Sequence, residues 1–579
     1  MEAFEVDRAD VERAVVACEL FGSVSGDARA ELIDAFTGAR LITGEALMHE
    51  GDSAESLFIV RHGRLRATVA DGTPEEATVG EIGKGEVVGE MSVITDQPRA
   101  ATVRATRDTD VFELPASAFG ELVQQHPEML RPFATVVVDR LRTAMSKVNR
   151  PSLPATIAVI DIGGGHALDL AHALADEVRG LSVRVVTKDD APPEDERAAW
   201  LLELENRINL VLLVTDPEPS EWTQRCLRHA DRALLVADAS ESPALSPVES
   251  DAQVVARFDD ITTHLVVVHR GSPGASRWLA HRTPTTWTNV RLDDAAQVSR
   301  ITREMSGRAN IFVLSGGGAR GFAHFGLARA MHEAGIPIDG IMGASAGSVV
   351  GALLARIGDP VDAQAQMLEW FDRVSWRRDL TPPALALTTG RLMTEGLQEL
   401  GAGSLIEDLP IEFSAVSCDL VTAQPVVHDR GPVWQAIRAS GSVPGLFPPV
   451  RIGERLLVDG GLVANMPTEL ARARHPDANL IAVDVGDPAG IDTSGVDDSG
   501  IVSGWSVLRP GQRGVTLMRL LVRLTELGRH DTNETADFVI EPDVKEFGIT
   551  DSEQAATISQ RGYEAGRHAA EALQATLAT

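Results

Sequence analysis

Three short stretches carry residues whose types and spacing can do acyl-transfer chemistry. The first is IDGIMGASAGSVVGALLA, residues 338–355, where Gly343, Ser345 and Gly347 form a G-x-S-x-G pattern. IDGIM reads as a strand and GSVVGALLAR as a helix, so Ser345 falls on the turn between them. Flanking glycines permit the strained backbone of a nucleophile elbow, and the start of a helix favours developing negative charge. The bland alternative is a small-residue turn packed tightly against a neighbour. The second stretch, FVLSGGGARGFAHFGLARAM, again reads as strand, glycine loop and helix. Gly316, Gly317 and Gly318 offer adjacent amides unhindered by side chains, a suitable lining for an oxyanion hole. Arg320 follows and is placed to brace the loop or the acyl oxygen. Gly316-x-Gly318-x-x-Gly321 also fits a dinucleotide-binding loop, which wants an acidic residue about twenty positions on. Asp339 stands near that distance but leads into the serine strand, which favours the oxyanion hole.

A serine nucleophile needs a base. After Ser345 the histidines are His428, His475, His530 and His568. None has a glycine-flanked strand-end context, and His475 and His568 read as residues on polar helix faces. The third stretch, RLLVDGGLVANMP, supplies a carboxylate instead. Asp459 ends a strand, and Gly460 and Gly461 let it approach another backbone closely. An aspartate acting directly as base makes a Ser–Asp dyad, a choice reached here by exclusion.

The order G-G-G-x-R-G, G-x-S-x-G, D-G-G resembles the patatin-like phospholipases, as does RASGSVPGLFPPV (residues 438–450) ahead of the aspartate strand. That resemblance implies Ser345 as nucleophile, Asp459 as base, an oxyanion hole from Gly316, Gly317 and Gly318, and an acyl-ester substrate. It implies neither a catalytic cofactor nor a metal.

These residues need elements to position them, and the chain divides into three textures. Residues 1–150 alternate apolar runs with turn glycines Gly44, Gly51 and Gly63, as a compact β-roll does; residues 116–148 then read as helical. Within this part, GEVVGEMSVITDQPRAATV places Gly89 and Glu90 at a short turn and Arg99 nine residues later. A carboxylate for a ribose hydroxyl and an arginine for a phosphate suit a cyclic nucleotide. The stretch resembles the phosphate-binding cassette of cyclic-nucleotide-binding domains. Ala100 departs from that pattern by lacking the hydroxyl that competent sites place there. The fold is expected; a cyclic nucleotide, cAMP or cGMP, stands as an expected regulator against a vestigial site.

NRPSLP (residues 149–154) reads as a linker. Residues 155–300 carry five short β-branched runs, TIAVIDIGGG, VRVVTK, INLVLLVTD, RALLVADA and THLVVVHR, separated by helix-length stretches, the pattern of a parallel α/β sheet. Its GGGH loop lacks the lysine of a phosphate-binding loop, so it reads as a spacer and not as a nucleotide hydrolase. Residues 308–579 form the third part and end in the helical SEQAATISQRGYEAGRHAAEALQATL. Residues 490–514 read as a surface loop, and residues 514–527 (GVTLMRLLVRLTEL) as an apolar helix that packs in the core, lines an acyl path or rests on a membrane. The fold class expected is multidomain α/β: a β-roll with helices, a degenerate P-loop-like parallel domain and a patatin-like hydrolase domain. This order resembles bacterial members of the neuropathy target esterase family.

Bulk properties narrow the field. The 579 residues hold 53 basic and 84 acidic side chains, a net charge of −31, which disfavours nucleic acid. No helix-turn-helix follows the roll, which disfavours a transcription regulator. Three scattered cysteines argue against a disulfide framework and for a reducing compartment. No signal peptide or membrane-spanning run is read. The expectation is a cytoplasmic serine esterase acting on phospholipids or lysophospholipids, touching membrane peripherally and of open oligomeric state. The alternative is a cyclic-nucleotide-responsive binding protein with an inactive hydrolase domain.

Overall fold

The computed structural model describes residues 2–126, 156–486 and 535–577, apart from 5, 19, 23, 25, 71–76, 96, 179–180, 252–253, 255–257, 259–260, 374–375 and 383–384. The predicted linker 149–154, the loop 490–514, the apolar helix 514–527, His530 and the part of helix 116–148 beyond residue 126 lie outside the described residues. The chain forms two compact units, Met1–Gly307 and Arg308–Thr579.

The first unit opens with a β-roll built from β1 (Glu2–Phe4), β2 (Thr37–Leu41), β3 (Ala46–Met48), β4 (Ser56–His62), β5 (Leu65–Val69), β6 (Ala77–Ile82), β7 (Val87–Val88), β8 (Thr102–Ala105) and β9 (Thr109–Pro115). They make two sheets, ordered β1-β2-β9-β4-β7 and β3-β8-β5-β6. Alternate side chains divide the core: Val60, Val111 and Leu65 fill the roll, while Ile59, Phe112 and Leu114 pack on Val11, Val15 and Leu32 of the flanking helices. Gly44, Gly51 and Gly63 turn the chain with φ near 85–91°, the left-handed region open to glycine.

A parallel six-stranded sheet follows, with β10 (Thr156–Gly163), β11 (Val183–Val186), β12 (Leu210–Val214), β13 (Arg232–Asp238), β14 (Thr262–Val268) and β15 (Thr286–Val290) in the order β11-β12-β10-β13-β14-β15. Ile157 and Val159 face one hydrophobic core, Ala158 and Ile160 the other. Burial on both faces is why these strands read as unbroken apolar runs. The fifth crossover ends in β15, whose TWTNV sequence carries no such run.

The roll and this sheet share a buried charge cluster. Arg107, 3% exposed, lies 2.8 Å from Glu205 and 2.9 Å from Asp231. Arg64 also reaches Asp231 at 3.1 Å, and Thr156 Oγ1 donates to Glu205 at 2.9 Å.

In the second unit β16 (Asn310–Leu314), β17 (Gly340–Ala344), β18 (Glu412–Asp419), β19 (Gln424–His428), β20 (Val450–Ile452), β21 (Arg455–Asp459), β22 (Asn479–Val483) and β23 (Phe538–Ile540) form one mixed sheet, ordered β20-β21-β18-β17-β16-β22-β23 with β19 also on β18. β16, β17, β18, β22 and β23 are parallel, and β21 runs antiparallel to β18 with Ser417 opposite Asp459. The C-terminal helix Ala555–Leu577 crosses the helix Phe322–Glu333 with backbones almost touching: a Cβ on Gly562 would lie 2.0 Å from the Ala323 carbonyl oxygen. Pinning that helix fixes the element directly behind the glycine loop.

Candidate active site

Ser345 sits between β17 and the helix Ala346–Ile357. Its φ of 50° is positive, an uncommon state for a residue with a side chain. Three bonds hold that conformation. The Ser345 amide donates to Ser440 Oγ at 2.9 Å, Ser440 Oγ donates to the Val416 carbonyl at 2.6 Å, and Ser348 Oγ donates to the Ser345 carbonyl at 2.7 Å. Close packing does the rest. A Cβ on Gly347 would lie 2.3 Å from the Leu314 carbonyl oxygen, and one on Gly343 2.5 Å from the Gly347 carbonyl. Only glycine lets the elbow settle against β16.

From this turn Ser345 Oγ donates to Asp459 Oδ2 at 2.7 Å, across 114 residues of chain. Asp459 is fully buried at the end of β21, and its second oxygen accepts the Gly461 amide at 2.8 Å. Burial pushes its carboxyl up from 3.8 to about 6, against the opposing pull of the Ser345 and Gly461 bonds. Gly460 allows the approach of β21 to β18, since a Cβ there would meet the Val416 carbonyl at 2.2 Å. A base with a pKa near 6 is ionised at neutral pH and still basic enough to draw a proton from a serine in the transition state.

No described histidine intervenes. His428 Nε2 lies 2.7 Å from Ser417 Oγ, and burial lowers its pKa to about 4. His568 is exposed, and His475 is part-buried with Nε2 3.4 Å from the Glu412 carboxylate of β18.

The glycine loop departs from expectation in one respect. The Gly316 amide is already donated to the Asn465 carbonyl at 3.1 Å, because the turn after β21 packs onto it. The Gly317 and Gly318 amides have no acceptor among the described residues and remain available. Gly318 has φ of 60°, and the Ala319 amide donates to the Ile549 carbonyl at 2.7 Å, anchoring the loop. Arg320 is 3% exposed and donates from Nε to the Gly317 carbonyl at 3.3 Å, a brace for the loop. Gly321 opens the helix that carries His324, whose Nε2 contacts the Ser315 carbonyl at 3.0 Å. Asp339 accepts the Asn310 amide at 2.9 Å at the base of β17, so it closes a turn and faces no ligand loop. Sequence reasoning passed over Ser440, Ser442 and Asn465. The available signal was their place inside RASGSVP and DGGLVANMP, the segments bordering the dyad.

The other two loops are filled by the protein itself. Arg99 is 5% exposed and donates to the carbonyls of Gly89 (2.9 Å) and Ser56 (2.6 Å). Glu90 is buried beside it and Ala100 exposed. In the middle domain Asp161 accepts the amides of Gly163 and Ala167, and His166 lies 2.8 Å from Asp238. Carboxylates thus stand where a phosphate would sit at that helix start.

Three family models match in order: "Cyclic nucleotide-binding domain" over residues 40–126, "Neuropathy Target Esterase family P-loop like domain" over 194–310 and "Patatin-like phospholipase" over 312–472. The chain is 29% identical to Patatin-like phospholipase domain-containing protein 6 of Mus musculus, over 80% of this chain and 39% of the relative. It is 29% identical to Lysophospholipase nte1 of Neosartorya fischeri, over 92% of this chain and 41% of the relative. The regulatory domain of Toxoplasma gondii PKA, solved with cAMP, aligns with 20% of this chain and 46% of its own at 31% identity and a TM-score of 0.19. The chain spans about two fifths of the length of the curated relatives it matches. Region by region, the chain is thus similar to a cyclic nucleotide-binding domain, to the P-loop-like domain of the neuropathy target esterase family and to a patatin-like phospholipase domain.

Proposed function

We propose that the chain hydrolyses fatty-acyl esters of phospholipids or lysophospholipids through Ser345 and Asp459. The observation that carries this reading is the 2.7 Å contact between a strained serine and a fully buried aspartate whose pKa is near 6. Asp459 takes the Ser345 proton as Oγ adds to the ester carbonyl, and the Gly317 and Gly318 amides hold the oxyanion. The tetrahedral species collapses to an acyl-serine and releases the lysolipid or glycerophospho-alcohol, its oxygen protonated by Asp459. Water, deprotonated by the same carboxylate, then frees the fatty acid and restores Ser345. Relatives named lysophospholipase support the substrate class. With the motif residues in mutual contact, an inactive hydrolase domain is disfavoured.

Cyclic-nucleotide regulation through Gly89, Glu90, Arg99 and Ala100 requires Arg99 to release two backbone carbonyls. Isothermal titration with cAMP and cGMP tests it directly. A cytoplasmic setting with peripheral membrane contact fits three buried free thiols, and no described helix is long and apolar enough to cross a membrane. The decisive assay is fatty-acid release from lysophosphatidylcholine. Ser345→Ala is expected to lose at least ~10³ in rate; equal rates in the two proteins would refute the assignment.

A further inference from the structure

Three stretches of the second unit carry no Asp, Glu, Lys, Arg or His: residues 385–390 (LALTTG), 420–427 (LVTAQPVV) and 439–450 (ASGSVPGLFPPV). The chain as a whole is 24% charged. The fold makes these stretches neighbours. The Leu387 and Thr388 amides donate to the carbonyls of Gly445 and Leu446, at 2.8 and 3.2 Å. Val450 pairs with Leu457 on β21, and the carbonyl of the adjoining Leu456 accepts the Leu420 amide at 2.8 Å. Leu380 joins them by its bridge to Thr388. Among the described residues of this unit, five of the seven exposed large aliphatic side chains lie on these stretches or their backbone partners: Leu380, Leu385, Leu420, Val421 and Leu456.

Water-facing turns are ordinarily built from Gly, Asn, Asp and Ser. The turn after β18 is not. Its apex is Leu420 and Val421, 48% and 74% exposed, and Ala423 takes a φ of 56° where glycine or asparagine is usual. Asp419 fixes the turn, accepting the Val421 amide at 3.0 Å and Thr422 Oγ1 at 3.2 Å, while its carbonyl accepts the Ala423 amide at 2.8 Å. Apolar side chains held out to solvent on a fixed, uncharged turn mark a contact surface. Its place in the fold identifies the contact. β16, β17 and β18 are parallel, and the glycine loop, Ser345 and Leu420 follow their respective carboxyl ends. The turn and the nucleophile therefore share the edge of the sheet where α/β folds bind ligands. The stretch 439–450 touches the dyad itself, since Ser440 Oγ accepts the Ser345 amide and the Ser442 carbonyl accepts the Asp459 amide.

We propose that this face docks the active-site edge onto a zwitterionic phospholipid bilayer, with Leu420 and Val421 entering among the acyl chains. A chain of net charge −31 is repelled by anionic headgroups, and repulsion is least where an uncharged face meets a neutral lipid layer. Exposed Arg451, Glu454 and Arg455 border Leu456 with charges of both signs, as a phosphocholine layer presents. Docking there brings Ser345 to an ester whose acyl chain need not cross water.

The inference rests on the acyl-ester reading, and the experiment separates the two. Flotation of the full chain with phosphatidylcholine vesicles, pure or enriched in phosphatidylserine, is measured for wild type, Ser345→Ala, Leu420→Glu with Val421→Glu, and Leu385→Glu. Leu245→Glu is the control, altering a leucine 53% exposed in the middle domain. Each protein is also assayed on a soluble short-chain ester and on vesicle-borne lysophosphatidylcholine, with melting temperature and lipid-free sedimentation velocity. Wild type, Ser345→Ala and Leu245→Glu are expected to float with phosphatidylcholine, and less so once phosphatidylserine is added. The double variant is expected to bind at least about tenfold more weakly, with a similar fall in its ratio of vesicle to soluble-ester turnover. Leu385→Glu is expected to move both readouts the same way, which keeps the test decisive should the double variant melt lower. A wild type that phosphatidylcholine does not float overturns the proposal, as do face variants that float as wild type does. So does a wild-type dimer that the face variants split without lipid, because the occupant is then a second copy. Those results leave the acyl-ester reading standing provided Ser345→Ala is inactive. If wild type and Ser345→Ala instead release fatty acid equally, the parent reading fails even where docking persists.

Discussion

Replacing Asp459 by Asn should abolish turnover and stabilise the fold, with opposite signs that come from the same burial. The carboxyl is fully buried, and its pKa stands at about 6 against 3.8 for the free side chain. The folded state therefore binds this proton more tightly than the unfolded chain does. Below about pH 4 both states are protonated and the group costs nothing. Between about pH 4 and 6 the unfolded chain ionises first, and stability falls by about 1.4 kcal/mol per unit. Above about pH 6 the loss is complete, at about 3 kcal/mol. Asn keeps the shape, can accept from the Gly461 amide and never ionises, so it escapes this penalty. For a unit the size of residues 308–579, about 3 kcal/mol corresponds to a rise of roughly 6–12 °C in melting temperature. Calorimetry of the full chain at pH 4 and pH 8 reads the effect: one transition should shift up at pH 8 and coincide with wild type at pH 4. Fatty-acid release should fall by roughly 10²–10⁴ at both pH 7 and pH 8. An Asp459→Asn variant less stable than wild type at pH 8, or equally stabilised at both pH values, would refute the burial argument.

The same carboxyl sets the rate profile. The kcat/KM of the wild type should rise about tenfold per pH unit below about pH 6 and level off above it, in a single-ionisation limb; a limb centred near pH 7 with imidazole behaviour would point to a histidine base. Gly347→Ala should fail more severely than an ordinary small-residue change, because the new methyl would lie 2.3 Å from backbone oxygen of Leu314. Its expected signature is loss of fluorophosphonate labelling together with a fall in melting temperature of several degrees. Labelling at the wild-type rate would show that the elbow does not need that glycine.

How much could be read in advance followed a physical division. Ser345 and Asp459 were legible because each sits at a strand end with glycine on the far side, a local pattern that the backbone imposes on the sequence. Their contact was not legible: it depends on β18, which pairs with β17 on one side and β21 on the other and so carries the two ends together. The middle strands announced themselves by burial on both faces, whereas β15 hid behind threonine and asparagine that its neighbours satisfy. Thr288 Oγ1 donates to Glu304, and Asn289 Oδ1 accepts the Gly274 and Ala275 amides. The glycine loop promised three amides, but which of them is free depends on the carbonyl of Asn465, far along the chain. Arg99 likewise reads as a phosphate ligand by type, while its direction, into the carbonyls of Gly89 and Ser56, is a tertiary fact. Ser440 and Asn465 escaped notice because small polar residues have no periodicity to betray them.

The cluster of Arg64, Arg107, Glu205 and Asp231 bears on how this protein can be cut and recombined. Replacing one half by a module that covers the seam but lacks the matching ions leaves buried charges without their counterparts, a loss of about 3–5 kcal/mol for each pair broken. Swapping the N-terminal module among relatives therefore succeeds only if its arginines arrive with acidic residues waiting at 205 and 231. As a unit of inheritance and of engineering, the stretch Met1–Gly307 is one piece.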